Sequence, residues 1–340
     1  MSDVAGTGTS LVERFDALLC DLDGVVYAGP TAIDGAPESL ERVRATGRAV
    51  VYVTNNASRP PAAVAEHISS LGASTKASDV VSSAQAAASL LAERLEVGAP
   101  VLVTGATALA DEIRAVGLVP VRSQDEKPRA VVQGFDPRLG WEDLAEAAYT
   151  LADESVLWCA TNTDRTIPRE RGIAPGNGTL IAAVAAAAGR QPLVAGKPEA
   201  PIFHRAAERV CAHRPVVVGD RLDTDILGAH NAGMESIEVL TGVDTPASVL
   251  GACTAQRPTY LLGSLRELFE PYPEIAAGTA ENGFHAECGG ARAEVAGDVV
   301  RVAAERDALD GWRAACAAWW AAHPDETEAT SPEVRWEPAP

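Results

Sequence analysis

Short apolar runs, rich in β-branched residues and separated by segments of helical period, set the rhythm of the chain. Ala17-Leu18-Leu19-Cys20, Val50-Val51-Tyr52-Val53, Val101-Leu102-Val103, Ala130-Val131-Val132, residues 156–160, Pro192-Leu193-Val194-Ala195 and Pro215-Val216-Val217-Val218 are too short for helices and read as buried strands. Between them, helical patterns fall over residues 38–46, 61–71, 84–95, 106–116 and 141–152. Pro61 opens the second of these in its first turn and Gly72 stops it. Strand and helix alternating in this way predict parallel sheets in both halves of an α/β protein. No internal repeat is evident.

Four of the apolar runs end in polar residues. Ala17 to Cys20 leads into Asp21-Leu22-Asp23-Gly24-Val25, and Val50 to Val53 leads into Thr54-Asn55-Asn56. The later two end in Gly196-Lys197-Pro198 and in Gly219-Asp220, the latter followed by Asp223 and Asp225. Asp-x-Asp alone is a weak signal, because Asp also favours turns and strand ends. On an extended strand, however, two carboxylates two residues apart point the same way and must repel or share a cation. In an open parallel sheet the ligand crevice lies outside the carboxyl ends of the strands, so the four ends are expected to meet at one site.

With these motifs the sequence resembles the haloacid dehalogenase (HAD) superfamily, in its NagD-like phosphatase branch. The matching residues are Asp21-Leu22-Asp23-Gly24-Val25-Val26-Tyr27, Thr54-Asn55-Asn56, Gly134-Phe135-Asp136-Pro137, Thr161-Asn162-Thr163-Asp164, Ala174-Pro175-Gly176-Asn177-Gly178, Gly196-Lys197-Pro198 and the stretch from Gly219-Asp220 through Asp225-Ile226. They run in uninterrupted order across roughly residues 12 to 270. The resemblance implies a Rossmann-like parallel-sheet core over 12–83 and 190–272, and an inserted α/β cap of C2 type over 84–189 that covers the crevice and excludes water.

The chemistry expected of these residues is phosphate-ester hydrolysis. Asp21 is the candidate nucleophile, whose carboxylate attacks phosphorus to form an aspartyl-phosphate. Asp23 is the candidate general acid on the leaving alkoxide and then the base on water. A general acid two residues on favours phosphatase over dehalogenase chemistry. Mg2+ is the expected cation, held by Asp21, Asp220 and, as the resemblance implies, the Asp23 carbonyl. Thr54, Asn55 and Asn56 are expected around the phosphoryl oxygens, Lys197 against transition-state charge, and Asp225 in support. Gly176 and Asn177 read either as a helix-starting loop or, by the resemblance, as a contact to the leaving group. Asn162 and Asp164 are polar residues at a strand end, facing the crevice or bridging cap and core. Asp223 reads as a turn or cap residue, and His67, His204, His213 and His230 as structural residues in helical patterns.

Composition narrows the partners. The 340-residue chain suffices for about two domains with real cores. A formal net charge of -19 argues against nucleic acid and anionic membranes. It still permits a small phosphorylated metabolite in a pocket with a Lys and a cation. The six cysteines show no Cys-x-x-Cys spacing, and no apolar run reaches the length of a signal peptide core or a membrane span, which points to the cytoplasm. Among substrates, resemblance to actinobacterial members puts glycerol 3-phosphate first and 2-phosphoglycolate second, with pyridoxal 5-phosphate and aryl phosphates as further esters. A phospho-Asp receiver and a non-catalytic phosphometabolite sensor are the alternatives of another class. The receiver would be shorter and uncapped, and the sensor would leave Asp23 without a task.

After about Pro273 the family pattern stops. Ala293-Glu294-Val295 and Val299-Val300-Arg301-Val302 read as paired strands, and residues 307–322 as a helix with Trp312, Trp319 and Trp320. Some actinobacterial NagD-like phosphatases carry an acetyltransferase-like appendage here. Residues 273–328 are similar in placement but short for a whole acetyltransferase and lack a Gly-rich pyrophosphate loop, so a structural or regulatory role is expected. Residues 329–340 read as a flexible tail. Cap contacts or the Trp-bearing appendage would serve a homodimer.

Overall fold

The computed structural model describes residues 8–169, 171–280 and 283–338. Two compact units divide the chain: Met1–Val50 with Ala212–Pro340, and Val51–Cys211.

In the first unit the strands Tyr260–Leu262, Glu235–Val239, Pro215–Gly219 and Ala17–Cys20 lie side by side in that order, all parallel. Leu18 pairs with Val216, Val217 with Ser236 and Ile237 with Tyr260. The continuous apolar runs follow from burial on both faces. The helix Ala36–Ala45 belongs to the same unit, with Leu40 and Val43 buried.

The same unit holds a five-stranded sheet: Ile275–Ala280, Gly283–Cys288, Ala291–Ala296, Val299–Ala303 and Glu333–Glu337. Its first four strands run antiparallel and the last joins Val299–Ala303 in parallel. Ala291–Ala296 alternates strictly between buried and exposed, the mark of a sheet with one solvated face. The helix Leu309–Ala322 buries Trp312, Ala315, Cys316 and Trp319. The expected strand pair and helix are present, but the flexible tail is corrected. Glu333–Glu337 is a strand, with the Trp336 ring 5.3 Å from that of Trp312 in a T-shaped contact. Val334 and Trp336 alternate with acids and an Arg, a strand signal masked by the acidic, Pro-containing surroundings. His213 also departs from expectation, since it precedes the Pro215–Gly219 strand and is not helical.

In the second unit a five-stranded parallel sheet has the order Leu193–Val194, Leu157–Ala160, Ala130–Gln133, Pro100–Thr104 and Val119–Val121. The helices Trp141–Leu151 and Asn177–Ala188 pack on one face of it, around Leu102, Val131, Trp158 and Val184. The strand Leu193–Val194 lies beyond the boundary at residue 189 expected from sequence. A hairpin, Thr166–Arg169 with Gly172–Pro175, precedes the Asn177 helix; Pro168 and Pro175 hide it from strand patterning. The end of the strand Ala49–Thr54 also belongs to this unit, where Tyr52 pairs in parallel with Val80. Among the described residues no helix is long and apolar enough to cross a membrane.

Candidate active site

Asp21, Asp23, Asp220 and Asp225 belong to the first unit, and Thr54, Asn55, Asn56, Gly176, Asn177 and Lys197 to the second.

In the first unit, Asp21, Asp220 and Asp225 each turn a carboxylate oxygen to within 4.8 Å of the others. Asp220 is 1% exposed, Asp225 is fully buried, and Asp21 is half-buried. Asp21 does not lie on the extended strand, which stops at Cys20; its N–H still donates to the Val218 carbonyl at 2.8 Å. The chain then turns tightly, and the Leu22 carbonyl accepts from Val26 at 2.9 Å and from Tyr27 at 3.2 Å. Asp23 is exposed in this turn and bridges to Tyr27. Gly24 is required twice over: its φ is +83°, and a Cβ would fall 2.2 Å from Asp220 Oδ2.

Asp220 is held from the other side by the segment after Glu235–Val239. Val243 N–H donates to Asp220 Oδ2 at 2.8 Å, and Asp244 N–H to the Asp220 carbonyl at 3.1 Å. Asp225 sits on a π-helical turn, Leu222–Ile226, under Gly219, whose missing Cβ leaves the room that Asp225 Cβ occupies. Asp223 forms a two-pronged ion pair with Arg221 at 2.8 and 3.0 Å and stays exposed, in keeping with a turn role. Three carboxylates gathered this closely and mostly out of water fit an oxygen-ligated divalent cation such as Mg2+, which would relieve their repulsion.

Glu238 is a residue that sequence reasoning missed. It pairs with Gly219, is fully buried, and neither carboxyl oxygen has a hydrogen-bond partner among the described residues. Burial pushes its carboxyl up to about 10, and the carboxylates of Asp225, Asp244 and Asp220 add to the effect. A Glu inside the run Ser236-Ile237-Glu238-Val239 was the available signal.

In the second unit Asn55 is a hub. Its Nδ2 donates to the Lys197 carbonyl at 3.1 Å and to both Asp164 oxygens at 3.3 Å, while its Oδ1 accepts from Lys197 N–H at 2.8 Å. The Asn55 carbonyl accepts from Ser83 Oγ at 2.7 Å and from Asn162 Nδ2 at 2.8 Å. Lys197 is 3% exposed, and a Cβ on Gly196 would fall 2.5 Å from Asn55 Oδ1. Thr54 is buried at the strand end, its Oγ1 accepting from Asn56 N–H at 3.1 Å. Asn56 is exposed and closes a turn with Ser58.

Gly176 and Asn177 are both buried. Asn177 Nδ2 donates to the carbonyls of Asn162 and Gln133, at 2.8 and 3.4 Å, and a Cβ on Gly176 would meet the Asp164 carbonyl at 2.3 Å. They hold in place the loop that carries Asn162 and Asp164. That loop reaches Asn55, so Asn162 and Asp164 matter more to the Asn55 and Lys197 cluster than their sequence context conveys. Ser83, which also grips Asn55, carried no sequence signal.

Comparison with known proteins identifies the family. Residues 18–119 match the family described as haloacid dehalogenase-like hydrolase, residues 194–268 a HAD-hydrolase-like family, and residues 288–335 a GCN5-related N-acetyltransferase like domain. The D-glycerol 3-phosphate phosphatase of Mycobacterium tuberculosis is 44% identical over 315 residues, 92% of this chain and 88% of that protein. The crystal structure of glycerol phosphate phosphatase from the same organism in complex with magnesium superposes with a TM-score of 0.85 at 41% identity, covering 97% of this chain and 95% of that one. The p-nitrophenyl phosphatase of Archaeoglobus fulgidus is similar at 28% identity and a TM-score of 0.70, covering 76% and 99%. Carrying the acidic cluster behind its first strand and the Asn55 and Lys197 pair, the chain belongs to the haloacid dehalogenase-like hydrolases.

Proposed function

We propose that this protein is a Mg2+-dependent phosphatase that hydrolyses glycerol 3-phosphate through a phosphorylated Asp21. The observation that carries the reading is the gathering of Asp21, Asp220 and Asp225 within 4.8 Å. It is a donor set suited to Mg2+ and placed directly beside the candidate nucleophile. When bound, Mg2+ supplies positive charge that lets an anionic ester approach a carboxylate.

The Asp21 carboxylate attacks phosphorus, and the bond from phosphorus to the ester oxygen breaks as Asp23 gives that oxygen its proton. Asp23 then takes a proton from water, which attacks the same phosphorus, releases inorganic phosphate and returns Asp21 as a carboxylate. Thr54, Asn55 and Asn56 position the phosphoryl oxygens, and the buried Lys197 ammonium offsets the charge that builds on them. Gly176 and Asn177 act on the leaving-group side through the loop that they hold. The inserted domain of 84–189 serves as the cap.

Glycerol 3-phosphate leads because the M. tuberculosis relative bears that name over 92% of this chain. 2-Phosphoglycolate, pyridoxal 5-phosphate and p-nitrophenyl phosphate are the competing esters. Phosphate release across this panel, with the highest kcat/KM for glycerol 3-phosphate, is the expected result; a preference of more than tenfold for another ester would reassign the substrate. Buried free thiols at Cys20, Cys159 and Cys316 support a cytoplasmic setting. The exposed Trp141 and Tyr149, on one helix, support a homodimer that light scattering would detect.

A further inference from the structure

The carboxyl-terminal sheet and helix share one apolar cluster with the turn that carries Asp225. Leu222 and Ile226, on that turn, pack in the same cluster as Leu250, Trp312, Cys316 and Trp319. A polar seam runs beside it. Thr330 N–H donates to the Gly251 carbonyl at 2.8 Å, Trp320 Nε1 to the Leu250 carbonyl at 3.0 Å, and Thr254 N–H to the Glu326 carbonyl at 2.8 Å. Arg257 Nη2 donates to the His323 carbonyl at 2.6 Å.

These bonds grip residues 250–257, a few positions beyond the residues that hold Asp220. Val243 N–H and Asp244 N–H both bond to Asp220, and Asp244 Oδ2 accepts from Leu222 N–H at 2.8 Å. A Cβ on Gly242 would come within 1.9 Å of Asp220 Oδ2, so this strip of backbone lies directly against the carboxylate. From there the chain runs through the one-turn helix Pro246–Leu250 into the gripped segment. Asp220 and Asp225 are thus both backed by elements that the carboxyl-terminal sheet and helix fix.

Mg2+ tolerates little departure from octahedral geometry, and residues that orient its ligands typically matter by about 10- to 100-fold in affinity. We propose that the carboxyl-terminal sheet and helix are a brace for the cation site, acting through Gly251 and Trp320 as positioning residues, so that divalent-cation affinity depends on how they are docked. The inference rests on the Mg2+ reading above and adds a task for a segment with no catalytic residue assigned to it.

Gly251→Ala tests it without backbone strain, because Gly251 has φ of -84° and any residue adopts that conformation. The new Cβ would fall 1.9 Å from the Thr330 carbonyl and wedge the seam open. Mg2+ binding to the full chain is measured by isothermal titration, beside the melting temperature without metal. A rise of about 10-fold in the Mg2+ dissociation constant is expected for Gly251→Ala, and about 3-fold for Trp320→Phe, which keeps an aromatic ring but loses its N–H. Trp320→Phe also serves should Gly251→Ala not fold. A lower melting temperature with the dissociation constant unchanged within twofold would overturn the proposal. Absence of Mg2+ binding by the wild type would instead overturn the reading beneath it.

Discussion

Asn55 holds the Lys197 backbone on both sides of its Cα, accepting from Lys197 N–H at 2.8 Å and donating to the Lys197 carbonyl at 3.1 Å. One amide thereby fixes the backbone that carries the buried ammonium. Ser83 and Asn162 fix Asn55 in turn through its carbonyl.

Asn55→Ala removes both bonds and leaves Lys197 to find its own position. A misplacement of about 1 Å costs on the order of 100-fold in rate, so kcat is expected to fall by roughly that factor with a smaller change in KM. Steady-state kinetics on glycerol 3-phosphate check this. A variant within threefold of wild type would show that Lys197 is placed by other contacts.

Gly24→Ala is expected to abolish cation binding. The position needs φ of +83°, which costs about 1 to 3 kcal/mol for alanine, and the methyl group would displace the Asp220 carboxylate. Calorimetry with Mg2+ should show no saturable heat from a protein that still melts cooperatively. Wild-type affinity in this variant would exclude Asp220 as a ligand.

How much of this was legible beforehand depended on whether a residue's task is local. Asp21, Lys197 and Asp220 announce themselves because each ends an apolar strand run, and strand ends are where parallel sheets place ligands. Asn55 was legible as a site residue but not as the clamp on Lys197, since Asp164 and Lys197 lie more than a hundred positions away along the chain. Glu238 was hidden inside a strand pattern, where a single acid reads as an exposed edge position. The strand Glu333–Glu337 was hidden for the opposite reason: composition outweighed the alternation of Val334 and Trp336. Helix positions were recovered closely, as at Pro61–Ser70, because proline and glycine mark helix ends by local sterics.

Glu238 makes stability depend on pH in a defined direction. Its carboxyl is pushed up to about 10 in the folded protein from an ordinary 4.5, so between those values the folded chain binds one more proton than the unfolded chain. Stability contributed by this group is therefore complete below the lower value and lost as pH rises through the window. Glu238→Gln removes the dependence. In metal-free buffer the variant should gain on wild type by about 1.4 kcal/mol per pH unit between pH 6 and 8, as read by urea denaturation. Parallel curves for the two proteins would mean that Glu238 does not hold its proton.

The most direct test of the account is phosphate release from glycerol 3-phosphate by the wild type and by Asp21→Asn, each with Mg2+ and with a chelator. The wild type is expected to turn over with Mg2+ and not in the chelator, and Asp21→Asn, which keeps the size of the side chain but loses the nucleophile, to fall by at least about 1,000-fold. Turnover by Asp21→Asn close to that of the wild type would contradict it, as would full wild-type activity in the chelator.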